Sequence, residues 1–303
     1  MHTVLLKTTR HGFMDTVFYG SIFHANRKKI LYSVGESSNS ICFMRSLAKP
    51  LQASILFDSN IIKDYRITPE ELAIFSGSHS GTNKHLEILK KVFKKHNLKL
   101  KDLSIKPLMP LDLKDFEGRV TKLHNNCSGK HTMMLLNCKY FGYDYNYTNP
   151  KHILQQKIKA KQELLSEYKS DILTFDGCST PLWGLPYKNV IKAYFNLFES
   201  CPKLIDAIIK NPYLYGGANR FDTELIKLSK RNLFAKVGAG GLVLIYNKNN
   251  DEIVLVKMAQ DNNDTRRLVT INFLNKIKWL DCDTDKNIYN QKQQIVAKYE
   301  FSL

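Results

Sequence analysis

Three stretches in the first 35 residues, TVLLKTT, VFYGSIFHA and KKILYSV, alternate apolar and polar positions with the two-residue period of β-strands, around the polar break HANRKK. From about 46 to 57 the pattern becomes helical. Thr68-Pro69-Glu70-Glu71 then supplies a cap, a first-turn proline and early acidic charge for a short helix through Phe75, which SGSHSG ends. Thr82 caps the next helix, whose Leu86, Leu89 and Phe93 with Ile88 and Val92 form one apolar stripe. Residues 101–122, with Pro107, Pro110 and Gly118, lack periodicity and read as an ordered loop.

HNNCSGKH at 124–131 opens a helix that buries Met133, Met134, Leu135 and Leu136. Asn149-Pro150 starts a lysine-rich amphipathic helix to about Tyr168, and DGCSTP at 176–181 reads as a turn. The region 188–230 is helical, broken at Pro202, at Pro212 and by YGGANR. A second β block follows in LFAKVGAGG, LVLIYN and EIVLVKMA, with NKNND closing a hairpin, and NDTRRLVTINFLNKIKWL closes the fold as a helix. Strands at both ends with helices between predict an α/β (α+β) chain: one mainly antiparallel sheet formed by N- and C-terminal strands, with a helical sub-region at about 46–230 inserted between them. Residues 1–303 are expected to form a single catalytic domain.

Composition narrows the setting. At 43% apolar and 24% charged the chain reads as globular, and no stretch approaches 18 uninterrupted apolar residues. The N-terminal MHTVLLKTTR carries no small-residue cleavage signal, so a cytoplasmic protein with no membrane partner is expected. Six cysteines without C-x-x-C spacing predict free thiols rather than a disulfide scaffold. The formal charge of +17 raises the class of nucleic-acid-associated proteins. Dispersal of the lysines, and only nine arginines among 45 basic residues, argue for no nucleic-acid role.

Candidate chemistry clusters in four islands: RSLAKPLQ (45–52), SGSHSG (76–81), HNNCSGKH and DGCSTP. A serine hydroxyl becomes a nucleophile when a neutral amine accepts its proton, and Ser46 and Lys49 stand one helical turn apart. Ser166 to Lys169 and Ser200 to Lys203 repeat that spacing, so the setting beside Arg45 and before an apolar helix is what singles out the first pair. Ser78 lies on a glycine-flanked turn, where a solvated loop is the equally weighted alternative. Lys257 is the one charged residue in the apolar strand IVLVKMA, where it needs a partner, loses its proton, or snorkels. Cys127, Lys130 and Cys178 could hold zinc, or the HNNCSGKH amides could form an anion nest without metal.

Taken in order, these islands resemble the asparaginase II family of Rhizobium etli-type inducible L-asparaginases, which have a serine β-lactamase-like fold. The resemblance runs through Thr9 to Gly12, RSLAKPLQ, SHSG, NNCSGKH, DGCSTP, GGANRFDT (216–223), KVGAGG and the Lys257 strand. It implies an amidohydrolase converting L-asparagine to L-aspartate and ammonia through an acyl-enzyme, with two catalytic tandems, Ser46 with Lys49 and Ser78 with Lys257. It also implies Arg45, Asp176 and His131 around the substrate, a Zn2+ ion on Cys127, Lys130 and Cys178, no organic cofactor, and a homodimer. The chain departs from the family pattern at Asp15-Thr16-Val17-Phe18, where an acidic residue followed by histidine is usual, and in AQDN after Lys257. A glutaminase or another S-x-x-K serine hydrolase is the alternative; Lys236-Val237-Gly238 resembles the K-T-G box of penicillin-recognising enzymes, although S-D-N is absent.

Overall fold

The structure, a computed structural model, describes residues 1–114 and 116–302. The first three strands, β1 (Thr3–Arg10), β2 (Phe13–Asn26) and β3 (Ile30–Val34), fall where the alternation places them. Two short pairs flank the helical region: β4 (Ile41–Cys42) on β7 (Leu185–Pro186), and β5 (Leu173–Phe175) on β6 (Pro181–Trp183). The second β block gives β8 (Leu233–Gly238), β9 (Leu242–Asn247) and β10 (Glu252–Met258), and the chain ends in β11 (Asn287–Tyr289) and β12 (Ile295–Phe301).

The main sheet has eight strands in the order β11-β12-β1-β2-β10-β9-β8, with β3 also paired to β2, and every pairing is antiparallel. β2 joins the two ends of the sequence: its first half pairs with β1, and Gly20–Asn26 pair with β10. Every residue of β8 and β9 is buried, so both faces of that half of the sheet are covered. Continuous apolar runs such as LVLIYN are what such strands require. The helix Asn263–Lys276 packs on β10 and β1, while the helices Tyr187–Ser200 and Phe221–Leu228 pack on β10 and β8 respectively.

Local signals set most helix starts. Thr68 and Glu71 form a reciprocal capping box with Pro69 in the first turn, and Pro202 and Pro212 each open a helix where the lost donor has no partner to miss. The helical run expected at 46–57 is a 3-10 turn (Arg45–Leu47), an α-helix (Ala48–Ala53) and a second 3-10 turn (Ser54–Asp58). Two readings need correction. The helix expected from Asn149 starts at Ile153, because His152 caps it by accepting from the Leu154 amide. The helix at 263–276 does not close the fold: β11 and β12 follow and add to the β1 edge. Their alternation is weak, with most positions part-exposed, which is why pattern alone passes over them. No helix among the described residues is long and apolar enough to cross a membrane.

The helix Ser128–Phe141 runs tight against the helix Pro69–Ser76, and a Cβ at Gly129 would lie 2.1 Å from the Ile74 carbonyl oxygen. Backbone cannot yield there as a flexible side chain does. Gly129→Ala is therefore expected to lower the unfolding free energy by about 1–3 kcal/mol in urea denaturation, despite alanine's better helix propensity.

Candidate active site

The four islands converge at the end of the sheet where β8 meets the helical region. Ser46 sits in the 3-10 turn Arg45–Leu47, held by two contacts. The buried Tyr194 hydroxyl donates to the Leu47 carbonyl at 2.6 Å, and Gly238 at the end of β8 lets the turn press onto the strand. A Cβ on Gly238 would stand 2.6 Å from Leu47 Cδ1 and 3.0 Å from the Met44 carbonyl oxygen. Arg45, just before Ser46, is held at φ 50, a left-handed conformation costly for a residue with a side chain. Ser46 and Arg45 line a cavity of about 240 Å³ together with Asn126, Cys127, Asp176, Cys178 and Ala239. A larger, mostly apolar groove of about 410 Å³ beside Phe141 and Leu164 contains none of the island residues.

Behind this cavity lies a buried chain of charged and hydroxyl groups. Lys49 Nζ stands 2.8 Å from Ser78 Oγ and 3.5 Å from the Asn126 carbonyl oxygen. On the other side of the same hydroxyl, Lys236 Nζ lies 3.3 Å away and is ion-paired at 3.1 Å with Asp222 Oδ2. Lys49, Ser78, Lys236 and Asp222 are all essentially without solvent exposure. Burial pushes the Lys236 amine down to about 8; Asp222 opposes that shift, and the Lys49 and Arg220 cations reinforce it. Burial would raise the Asp222 carboxyl, but Lys236 and Arg220 outweigh it and hold the group below its ordinary value.

The expected Ser78–Lys257 tandem is not formed. Lys257 belongs to β10, opposite Leu242 and Ser21, and its amine donates to the Gly240 carbonyl and, at 3.0 Å, to the Met258 carbonyl. Lys236, two strands away on β8, takes the place assigned to it. Both are lone cations in apolar strands, so the signal that singled out Lys257 applies equally to LFAKVG, and the K-T-G likeness pointed to Lys236. Asp222, in GGANRFDT, was missed as a site residue altogether.

The loop bearing Ser78 is fixed by buried histidines kept neutral by burial. His79 Nδ1 accepts from the Gly81 amide at 3.1 Å, leaving Nε2 to donate to Ser128 Oγ at 2.9 Å, and its ring stacks on His85. His131 does not reach the cavity wall. It is fully buried, and its Nδ1 is hydrogen-bonded to the Tyr147 hydroxyl at 3.1 Å.

The remaining island residues form a second charged cluster. Asp176 Oδ1 accepts from the Cys178 and Thr180 amides and the Cys178 thiol, each at 3.0 Å, while Oδ2 accepts from Lys130 at 2.5 Å and Thr180 Oγ1 at 2.7 Å. That carboxylate is fully engaged and serves to fold the turn and neutralise Lys130. Asp176 also lines the cavity, where the resemblance expects it. Burial would raise the Asp176 carboxyl, yet Lys130 and the hydrogen bonds hold it well below the usual carboxylate range. Burial would also lower the Lys130 amine, but Cys178, Asp176 and Cys127 together keep it raised. A hydrogen bond from Cys178 draws Cys127 toward the thiolate, helped by Lys49 and Lys130, and pushes the Cys178 thiol up.

Cys127, Cys178 and Lys130 thus converge. Two neighbouring sulfurs are a ligand type that zinc takes, whereas the Lys130 amine, held charged by Asp176 and the thiols, would have to lose its proton to join them. Among the described residues no group of three His, Cys, Asp or Glu is placed to hold a metal.

The sequence model of the family described as L-asparaginase II matches residues 6–300. No curated protein matches the chain. Solved structures similar to it include a β-lactamase from Mycobacterium bovis, with 9% identity, coverage of 85% of this chain and 94% of that one, and a TM-score of 0.40. Another is a peptidoglycan synthesis regulatory factor from Streptococcus pneumoniae, with 11% identity, coverage of 93% and 85%, and a TM-score of 0.45.

Asp176→Ala leaves the Lys130 ammonium buried without its partner and is expected to lower stability by roughly 3–5 kcal/mol at neutral pH. The carboxyl's folded-state value lies below its unfolded value of about 3.9, so its contribution is complete above that pH and fades as pH falls further. Urea unfolding of both proteins at about pH 7 and about pH 3 should therefore show a smaller difference under acid.

Proposed function

This chain belongs to the L-asparaginase II family and is accordingly an amidohydrolase; we propose that it hydrolyses L-asparagine to L-aspartate and ammonia through an acyl-enzyme on Ser46. The observation that carries this reading is the division of labour between the serines. Ser46 lines the cavity, whereas Ser78 is 1% exposed and lies behind it between two amines.

In this mechanism Ser46 Oγ attacks the side-chain amide carbon, and Lys49, three residues on in the chain, acts as the base that takes the hydroxyl proton. Collapse of the tetrahedral intermediate breaks the C–N bond, and the proton leaves with ammonia. Water then attacks the ester, gives its proton to the same amine system, and releases aspartate and free Ser46. The backbone N–H groups of Ser46 and Ala239, whose residues both line the cavity, would stabilise the oxyanion, an effect on the order of 3 kcal/mol per donor. Arg45, exposed at the cavity wall, would receive the substrate carboxylate.

Ser78 links the two lysines. A hydroxyl can accept from one ammonium while donating to a neutral amine, so it passes a proton between Lys49 and Lys236 without a charge leaving the buried site. Cys127, Cys178 and Lys130 would hold a zinc ion, which when bound supplies a Lewis acid beside the cavity.

Ser46→Ala should abolish ammonia release from asparagine in a folded protein, and wild-type turnover in that variant would sink the assignment. Lys236→Met should lower kcat on the order of 10²-fold, while Lys257→Met, away from the relay, should stay within about threefold. Parallel assays with glutamine separate the two amide substrates. Elemental analysis should find about one zinc per chain, lost in Cys127→Ser/Cys178→Ser; metal-free protein purified without chelator would remove the metal.

A further inference from the structure

The GGANRFDT stretch contributes a residue for which the mechanism above has no task. Asp222 lies in the first turn of the helix Phe221–Leu228, is fully buried, and faces only protein. Its Oδ1 accepts from the Thr223 amide at 3.2 Å, with a further hydrogen bond from the Val237 amide, while Oδ2 meets Lys236 Nζ at 3.1 Å. Thr223 Oγ1 donates to the Pro212 carbonyl at 2.8 Å and anchors the turn. The carboxylate is thus held by two backbone amides and meets a single amine.

We propose that Asp222 is a positioning residue of the amine relay, holding Lys236 against Ser78 so that the hydroxyl keeps one donor and one acceptor. The inference rests on the relay mechanism proposed above. A flexible four-carbon side chain can place its nitrogen in several directions, and in this structure it stands 3.3 Å from Ser78 Oγ and 3.1 Å from Asp222 Oδ2. The groups facing Lys236 come from every packed element: Lys49 from the helix Ala48–Ala53, Ser78 from its loop, Tyr215 with its ring 4.8 Å away, and Arg220 beside Asp222. Asp222 is the one anion among them. When Lys49 takes the Ser46 proton, Ser78 accepts from the Lys49 ammonium and gives its own proton to neutral Lys236, whose new charge Asp222 balances. The return path reverses these transfers.

Removing the anion has a definite sign. Asp222 raises the Lys236 value against burial, so its loss drives Lys236 further down. The test uses the full chain in wild-type, Asp222→Asn, Asp222→Glu and Glu224→Gln forms. Glu224 lies on the same helix but pairs with Arg267. Two readouts are taken: the pH dependence of kcat and KM for asparagine, and the titration of the lysine Cε resonance that disappears in Lys236→Met, followed by NMR in 13C-lysine protein without substrate.

In Asp222→Asn the Lys236 titration and the rising limb of kcat should both move down by roughly one pH unit or more, and limiting kcat should fall at least about tenfold with KM within about twofold. Glu224→Gln should move neither. A Lys236 titration that stays at its wild-type position in folded Asp222→Asn overturns the proposal. If Asp222→Asn does not fold, Asp222→Glu decides: its displaced carboxylate must lower kcat while leaving the titration near wild type, and an unchanged kcat overturns the proposal. Should wild-type protein release no ammonia from asparagine, the functional reading fails, and the substrate-free titration still decides whether Asp222 controls Lys236.

Discussion

Two lysine amines meeting one serine hydroxyl inside a dry site is the constraint on which this molecule's organisation turns. A single buried amine costs several kcal/mol to keep charged, and a second nearby raises that cost. The Lys49–Ser78–Lys236–Asp222 chain accommodates them with one carboxylate and one lowered amine. The required geometry explains why helix, loop and sheet must dock tightly at this point: Lys49 comes from a helix, Ser78 from a loop and Lys236 from a strand.

Close packing of backbone provides that docking. The Arg45–Leu47 turn rests on Gly238 at the end of β8, and the buried Tyr194 hydroxyl fixes the Leu47 carbonyl from the helical side. His79 ties the Ser78 loop to the start of the helix at Ser128, whose preceding residues bring Cys127 and Asn126 to the cavity. The two charged clusters share a wall: Lys49 contacts the Asn126 carbonyl and biases the Cys127 thiol, which is hydrogen-bonded to Cys178 on the Asp176 turn. Electrostatics on one side of the cavity is therefore coupled to the other.

Reading the residues in order recovers much of this. Capping and proline chemistry are local, so Thr68 marks a helix start and the breaks read at Pro202 and Pro212 fall where new helices begin. The β blocks at the two ends announce themselves by continuous or alternating apolar runs. β11 and β12 do not, because half-exposed strands carry little hydrophobic pattern. The structural role of Asp176 was not legible, because a carboxylate in a polar turn looks free until its five hydrogen bonds are counted in space. His131, beside Lys130 in sequence, points to Tyr147 for the same reason that neighbours on a helix face different directions.

By itself the sequence determined the family resemblance, the antiparallel sheet shared between the chain's ends and the islands that carry Ser46, Lys49, Cys127, Lys130 and Cys178. Each of these depends on spacing within a few residues or on motifs kept in order. Which lysine joins Ser78 was decided only by tertiary structure, since Lys236 and Lys257 are chemically equivalent lone cations in two apolar strands of the same sheet. Strand order and register bring one to the serine and send the other to the Gly240 and Met258 carbonyls, and those pairings are made by residues far apart along the chain.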